Sequence, residues 1–425
     1  NDDFIRTTEP RHENRVSALV QTLVDSGEIY RGSYEGWYDE GQEEYVTETA
    51  AKEQDFKSAI NAKPLVKYSE DTWFFRLTKF APRLIEHIEA NPTFIQPSSR
   101  RNEVLSKLKM GIEDLCISRN KTKLPWGIDM PNDPDHVVYV WIDALSNYIN
   151  ALGIPSIGDD HDGEFAQYWP ASIHLIGKDI LWFHAVYWPC ILMAADLPLP
   201  KQIYAHGWWT SEGQKMSKTL GNFISCDQID EICADYGRDV YKYYLLRAIT
   251  FGSDGDFNAE QFRQTYNTEL ANSLGNLLSR TVKMIGKYFD GVVPAPTEEV
   301  AEVADVQAAA QAMIDAAPEL MDKCAFNKYI QGSIDLVHAT NQFIEITAPF
   351  TLAKDDTQRE RLATIMYTCA EAVRLALVYL QPILTDKVPA ALEVLAQGDA
   401  PTDFATAGQW GVLQSGTAVG PAQPL

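Results

Sequence analysis

The chain has 425 residues, 45% apolar and 22% charged, with a net charge of −23. That composition excludes an intrinsically disordered, collagenous or disulfide-stapled protein and can bury a large core, about three domains by length. An acidic chain repels polyanions on average, so the charge argues against nucleic-acid binding unless a basic stripe is confined to one helix.

No run of eighteen apolar residues occurs, so no membrane span is expected. Asn1-Asp2-Asp3-Phe4 is neither a signal peptide nor an initiator start, and the chain is expected to begin mid-protein. The six cysteines form no C-x-x-C pair and read as reduced core thiols. The eight histidines lack metal-ligand spacing, so no structural zinc is expected.

In chain order, Val16, Leu19, Val20, Leu23 and Val24 recur at helical spacing, and Gly27 can stop that helix. Residues 28–134 are dense in aromatic and turn residues and end in Pro125, Pro131 and Pro134. They read as an inserted α+β module with short strands. The run 136–142 is apolar and β-branched, which predicts a buried strand. Residues 172–176 and 202–206 predict two more, closed by Gly177 and Gly207, with a helix from Gly177 to Ala195. Strands alternating with helices predict an α/β fold with a parallel, doubly wound sheet. Such sheets bind ligands at the carboxyl ends of their strands, which points to 141–148, 177–179 and 206–209.

From about residue 226 the pattern is helical. Phe326, Ile330, Ile334 and Val337 form one apolar stripe; Leu362, Ile365, Met366, Cys369, Val373, Leu377 and Leu380 form another. These predict an all-α bundle. A helix from about 268 carries Asn276, Arg280, Lys283 and Lys287 on one polar face, opposite Leu274, Leu277, Leu278, Val282 and Ile285. The stretch 290–297 is a loop, and the tail after Gly398 is loose.

The sharpest local signal is the loop from Gly213 to Gly221, in which Lys215 and Lys218 flank Met216 and Ser217. Two ammonium groups between glycines suit a polyphosphate and can stabilise charge on phosphoryl oxygens. An isolated lysine pair of this kind is also compatible with a solvated basic turn.

Lys215-Met-Ser-Lys218 resembles the K-M-S-K loop of class I aminoacyl-tRNA synthetases. Segments 4–12, 34–38, 74–77, 100–104, 114–119, 140–144, 177–180 and 270–280 resemble methionyl-tRNA synthetases in the same order, over roughly residues 1–390. The resemblance implies a Rossmann-like nucleotide-binding domain with its first half ending at 1–27, a connective-peptide insertion at 28–134 and the second half at 135–209. It further implies a signature-loop and stem-contact region at 210–270 and an anticodon-binding helical bundle at 271–425.

The implied activity is ATP-dependent ligation of L-methionine to its tRNA, initiator and elongator, through methionyl-adenylate. ATP with Mg2+ is the implied substrate, and a cytoplasmic monomer without membrane partners is expected. By the same resemblance Lys215 and Lys218 are catalytic, and Gly177, Asp179, His206, Gly207, Met216, Ser217 and Lys218 bind ATP. Trp141, Ala144, Tyr148, Ile180, Phe183, His184, Tyr187 and Trp188 form the methionine pocket, with Tyr148 and His184 reading the sulfur. Four of these, at positions 180, 184, 187 and 188, share one face of an α-helix by spacing. Asn276, Arg280 and Phe350 read the anticodon.

Departures from the pattern are specific. The segment 38–45 lacks the cysteine knuckles of zinc-bearing members, Phe350 stands where the family has Trp, and Thr219 replaces the usual Ser. The His-Ile-Gly-His element is expected upstream of Asn1, so residues 1–425 alone should not form the adenylate. A non-catalytic tRNA-binding or scaffold protein is the alternative. A sister synthetase for Leu, Val or Ile would share the lysine loop but lack the Asn276/Arg280 helix and the Tyr148/His184 pair.

Overall fold

The computed structural model of the chain describes residues 3–39, 44–46, 48–58, 61–153, 163–211, 213–216, 221–395 and 404–421. It divides into two compact units, Asn1–His206 and Gly207–Leu425.

The first unit opens with α1 (Pro10–Asp25), whose Val16, Leu19, Val20 and Leu23 are buried at the expected spacing. Gly27 follows with a φ of 76°, a conformation glycine adopts without steric cost. β1 (Ile29–Asp39) pairs antiparallel with β2 (Glu44–Val46) and β3 (Val66–Phe75), and α2 (Glu48–Glu53) lies between them in sequence. At 11 and 10 residues, β1 and β3 are long rather than short strands. α3 (Leu77–Ala90), β4 (Ile95–Gln96) and α4 (Ser98–Met110) come next, then β5 (Leu115–Cys116), which adds to β3.

β6 (Ser118–Asn120), β7 (Asp129–Met130) and β8 (Asp133–Val138) form a separate sheet in the order β6-β8-β7. This corrects the strand expected over 136–142. It stops at Val138 and pairs antiparallel with β6, and α5 (Val140–Asn150) begins after Tyr139. Ile142, Leu145 and Ile149 are buried at steps of three and four, so helical burial wins over β-branched composition.

α6 (Gly163–Tyr168) and β9 (His174–Gly177) lead into a helical rod. The rod consists of a 3₁₀ turn at Lys178–Ile180, a wide π turn at Phe183–Tyr187 and α7 (Trp188–Ala194). β10 (Ile203–His206) lies between β4 and β9, parallel to both. Ile203 faces His174 and His206 faces Gly177 in the register, so β9 and β10 end side by side.

In the second unit, β11 (Trp209–Ser211) pairs antiparallel with β12 (Gln214–Lys215) and parallel with β13 (Gly255–Phe257). α8 (Cys226–Tyr236) starts on a capping box. The Ser225 hydroxyl accepts from the Gln228 N–H, and the Gln228 side chain accepts from the Ser225 N–H. α9 (Arg238–Arg247), α10 (Ala259–Thr265), a π-helical stretch at Tyr266–Gly275 and α11 (Asn276–Tyr288) follow. α12 (Val303–Asp322), α13 (Phe326–Thr347), α14 (Pro349–Leu352) and α15 (Arg359–Leu380) build the bundle. α16 (Lys387–Val394) and α17 (Phe404–Ala407) complete it.

α15 is its central member, buried almost continuously from Leu362 to Leu380. The segment Asp356–Leu380 is long and apolar enough to cross a membrane by composition, yet 94% of its most apolar stretch is buried in the protein, as in a core helix. The core-thiol expectation holds for Cys190, Cys324 and Cys369; Cys116 and Cys233 are half-buried and Cys226 is exposed.

Candidate functional site

Two glycines fix backbone where the sequence expects nucleotide contacts. A Cβ on Gly177 would sit 2.5 Å from Asp179 Oδ1 and 4.0 Å from His206 Cε1. A side chain there would have to push the Asp179 carboxylate aside, and Gly177, the exposed Asp179 and the half-buried His206 come together at the ends of β9 and β10. In the second unit, a Cβ on Gly207 would lie 2.2 Å from the Ser253 carbonyl oxygen. That backbone-to-backbone approach admits only glycine, and the Trp208 N–H beside it donates to Asp254 Oδ1 at 2.9 Å.

The lysine loop grows from β11 and β12. Asp256 Oδ1 accepts from the Gly213 N–H at 2.8 Å and from Thr210 Oγ1 at 2.7 Å, anchoring the hairpin on β13. Gly213 and Gly221 have φ values of 75° and 68°. The Asn222 amide donates to the Lys215 carbonyl at 3.2 Å and ties the two ends of the loop together. The exposed Lys215 ammonium lies 4.5 Å from the centre of the Trp208 ring, a cation–π contact that sequence reasoning missed. Met216 packs against the core of this unit. Ser217 and Lys218 lie outside the described residues.

The expected methionine pocket is an aromatic cluster in the first unit. Trp141 stacks on Phe183 with centroids 3.8 Å apart and planes 10° from parallel. Tyr148 Oη and His184 Nε2 are 2.8 Å apart, and the Ile180 carbonyl lies 3.0 Å from His184 Nδ1. Trp141, Ala144, Ile180, Phe183 and Tyr187 are half-buried, and His184 and Trp188 are buried. The π turn interrupts the continuous α-helical face expected from Ile180 to Trp188, although His184 and Trp188 still reach the Tyr148 ring. Burial pushes the Tyr148 and Tyr187 hydroxyls up in pKa, which keeps them protonated donors.

His174 belongs to this cluster and was not foreseen. Its ring lies 4.2 Å from Tyr148, and its Nε2 accepts from Trp188 Nε1 at 3.3 Å. Its partners lie on α5 and α7, so the strand signal of 172–176 does not announce the contact. Burial, with His184 nearby, holds the His174 imidazole down at about 4. Burial lowers His184 as well. A base held below its unfolded value of about 6.5 gives stability that is full above that pH and is lost as pH falls toward the folded value. Between pH 7.5 and 5.0 His174 alone should cost about 2 kcal/mol. Urea unfolding at both pH values should show this loss, and His174→Gln should flatten it. An equal pH slope in the variant would locate the loss elsewhere.

The basic face on α11 forms as expected. Leu277, Leu278, Val282 and Ile285 are buried, while Asn276, Lys283 and Lys287 are exposed and Arg280 is half-buried. Phe350 stands 56% exposed in the first turn of α14, a ring open to a stacking partner. Among the described residues no three His, Cys, Asp or Glu side chains converge as a metal-binding set.

Parallel strands ending at Gly177 and His206, with a glycine-bracketed loop of paired lysines, define the class I tRNA synthetase architecture. The family model described as tRNA synthetases class I (M) matches residues 1–54 and 50–282, and the chain belongs to that family. It is 43% identical to the methionine–tRNA ligase of Halalkalibacterium halodurans, covering 100% of this chain and 65% of that protein. It is 46% identical to the methionine–tRNA ligase of Enterococcus faecalis, over 91% of this chain and 58% of that one. The chain thus spans less than two thirds of the length of these curated relatives. The crystal structure of Mycobacterium tuberculosis methionyl-tRNA synthetase bound by methionyl-adenylate is similar at a TM-score of 0.87 and 35% identity, covering 100% of this chain and 82% of that one. The apo form of the same enzyme gives a TM-score of 0.85.

Proposed function

We propose that the chain carries out ATP-dependent ligation of L-methionine to tRNA. The observation that carries this reading is the Tyr148–His184 pair at 2.8 Å beside the stacked Trp141 and Phe183. An apolar aromatic chamber with one hydroxyl–imidazole contact suits an unbranched thioether side chain. The likeness of the whole chain to the adenylate-bound synthetase supports the same reading.

The methionine carboxylate attacks the α-phosphorus of ATP, and pyrophosphate leaves with the electron pair of the broken P–O bond. The terminal ribose hydroxyl of tRNA then attacks the acyl carbon and releases AMP. Gly177 and Asp179 hold the ribose of ATP, and His206 and Gly207 flank its adenine. Lys215 and Lys218 bear on the phosphates, with Met216 and Ser217 in their loop, and Mg2+ enters with ATP as substrate. Ile180, Ala144, Tyr187 and Trp188 complete the methionine walls. A cytoplasmic monomer fits this reading, as does the bundle of 271–425 as the anticodon-binding part. Methionine-dependent exchange of pyrophosphate into ATP, measured in an enzyme that also carries the His-Ile-Gly-His element, tests the first step, and tRNA charging by the same enzyme tests the second. Charging with leucine, valine or isoleucine in place of methionine would overturn the assignment, and tRNA binding without exchange would favour the non-catalytic binder.

On this reading Asn276, Arg280 and Phe350 contact the anticodon, since a guanidinium and an amide suit base edges and an exposed ring suits stacking. Arg280→Ala should lower kcat/KM for charging by about 5- to 150-fold, the equivalent of one base-reading arginine at about 1–3 kcal/mol. Pyrophosphate exchange should stay within twofold of wild type. Selective charging at the wild-type rate would make Arg280 a solvated charge.

A further inference from the structure

α5 presents two faces. Trp141, Ala144 and Tyr148, at steps of three and four, face the aromatic cluster. Asp143 and Asn150, seven residues apart, lie on another side and meet α1. The contact is made by one buried residue, His12, which is 0% exposed. Its Nε2 lies 2.6 Å from Asp143 Oδ1, and its Nδ1 lies 3.2 Å from Asn150 Nδ2. An amide nitrogen only donates, so Nδ1 accepts from Asn150 and Nε2 donates to Asp143. One imidazole therefore spans two turns of α5 and grips it near both ends. One turn further along α1, the Arg15 guanidinium bonds the Asn150 carbonyl.

We propose that His12 is a positioning residue for amino-acid binding: it holds α5 by the face turned away from the pocket and so fixes Trp141 and Tyr148. This rests on the reading of the aromatic cluster as the methionine pocket. An apolar residue of similar volume would fill the space His12 occupies but would leave Asp143 and Asn150 without this partner. The helix would then keep its packing and lose its register along α1. Tyr148 must meet His184 within hydrogen-bond distance, and Trp141 must lie flat on Phe183, so a slide of about 1 Å disrupts both; misplacement of that size can cost about 100-fold in rate.

The test uses the full chain with Trp fluorescence as the readout for methionine and ATP binding. His12→Leu should raise the Kd for methionine about tenfold and change that for ATP less than twofold. Asp143→Ala should reproduce this split, while Asp143→Asn, which keeps an acceptor oxygen for Nε2–H, should stay within threefold of wild type. The near-ultraviolet circular dichroism of the Trp141–Phe183 stack should weaken in His12→Leu and persist in Asp143→Asn. If His12→Leu binds methionine as wild type does, or loses methionine and ATP affinity equally, His12 is a packing residue and the proposal is overturned. If wild type itself shows no methionine-dependent signal, the pocket reading falls and the proposal with it.

Discussion

In an enzyme that also carries the His-Ile-Gly-His element, Lys218→Ala is expected to slow methionine-dependent pyrophosphate exchange by about 100- to 1000-fold, the typical cost of losing one preorganised donor to developing charge. The Kd for methionine should change less than twofold, because the role proposed for the lysine is on charge that grows in the transition state rather than in the bound ground state. Asp256 and Asn222 hold its two ends, and the positive φ values at Gly213 and Gly221 let the backbone turn sharply there. The anchored hairpin of β11 and β12 thus carries the Lys215 ammonium. Lys215 rests over the Trp208 ring, which gives its ammonium a defined place. A loss under threefold for Lys218→Ala would remove that residue from the catalytic set.

Arg374→Ala is expected to destabilise the helical unit by about 3–5 kcal/mol, the usual cost of breaking a buried ion pair from one side. Arg374 and Glu371 are 1% and 0% exposed and bond bidentately at 2.7 and 2.8 Å. Arg374 also donates to the carbonyls of Ala407 and Gln409, both at 2.7 Å. Glu371 accepts from the N–H groups of Gly411, Val412 and Leu413 at 2.6 to 3.1 Å. Alanine would leave a buried carboxylate uncompensated and two carbonyls without these donors. The paired change Glu371→Leu with Arg374→Met should cost less in the bundle but should release the segment 404–421 to protease. Urea unfolding and limited proteolysis check both. A cost below 1 kcal/mol for Arg374→Ala would mean that water or a neighbouring cation replaces the guanidinium.

Much of the architecture could be read from periodicity, and its failures have identifiable causes. Helix stripes in the bundle were legible because one residue in three or four must face a core. The strand expected through Ile142 failed because Val137 and Val138 satisfy a strand while Ile142, Leu145 and Ile149 satisfy a helix, and only Tyr139 separates them. β4 was invisible because two residues, Ile95 and Gln96, carry no period at all. Among candidate site residues, Gly177, Asp179 and His206 were found from strand ends, and the structure brings them together. His174 and Trp208 were missed because their partners, Tyr148 on α5 and Lys215 on the β11–β12 hairpin, are supplied by tertiary packing and hairpin geometry rather than by neighbours in sequence.

The wide turn at Phe183–Tyr187 acts as a shift of reading frame in three dimensions. A π turn holds about one residue more than an α turn, so the rod before it and the rod after it are about 100° out of phase. Ile180 lies before the turn, just after the strand that ends at Gly177, and His184 lies within it, whereas Trp188 and Cys190 follow it, buried in the core on α7. The extra residue lets each half keep its own alignment. Without it, bringing the indole of Trp188 to His174 would turn His184 away from Tyr148, and the chamber could have one contact or the other but not both.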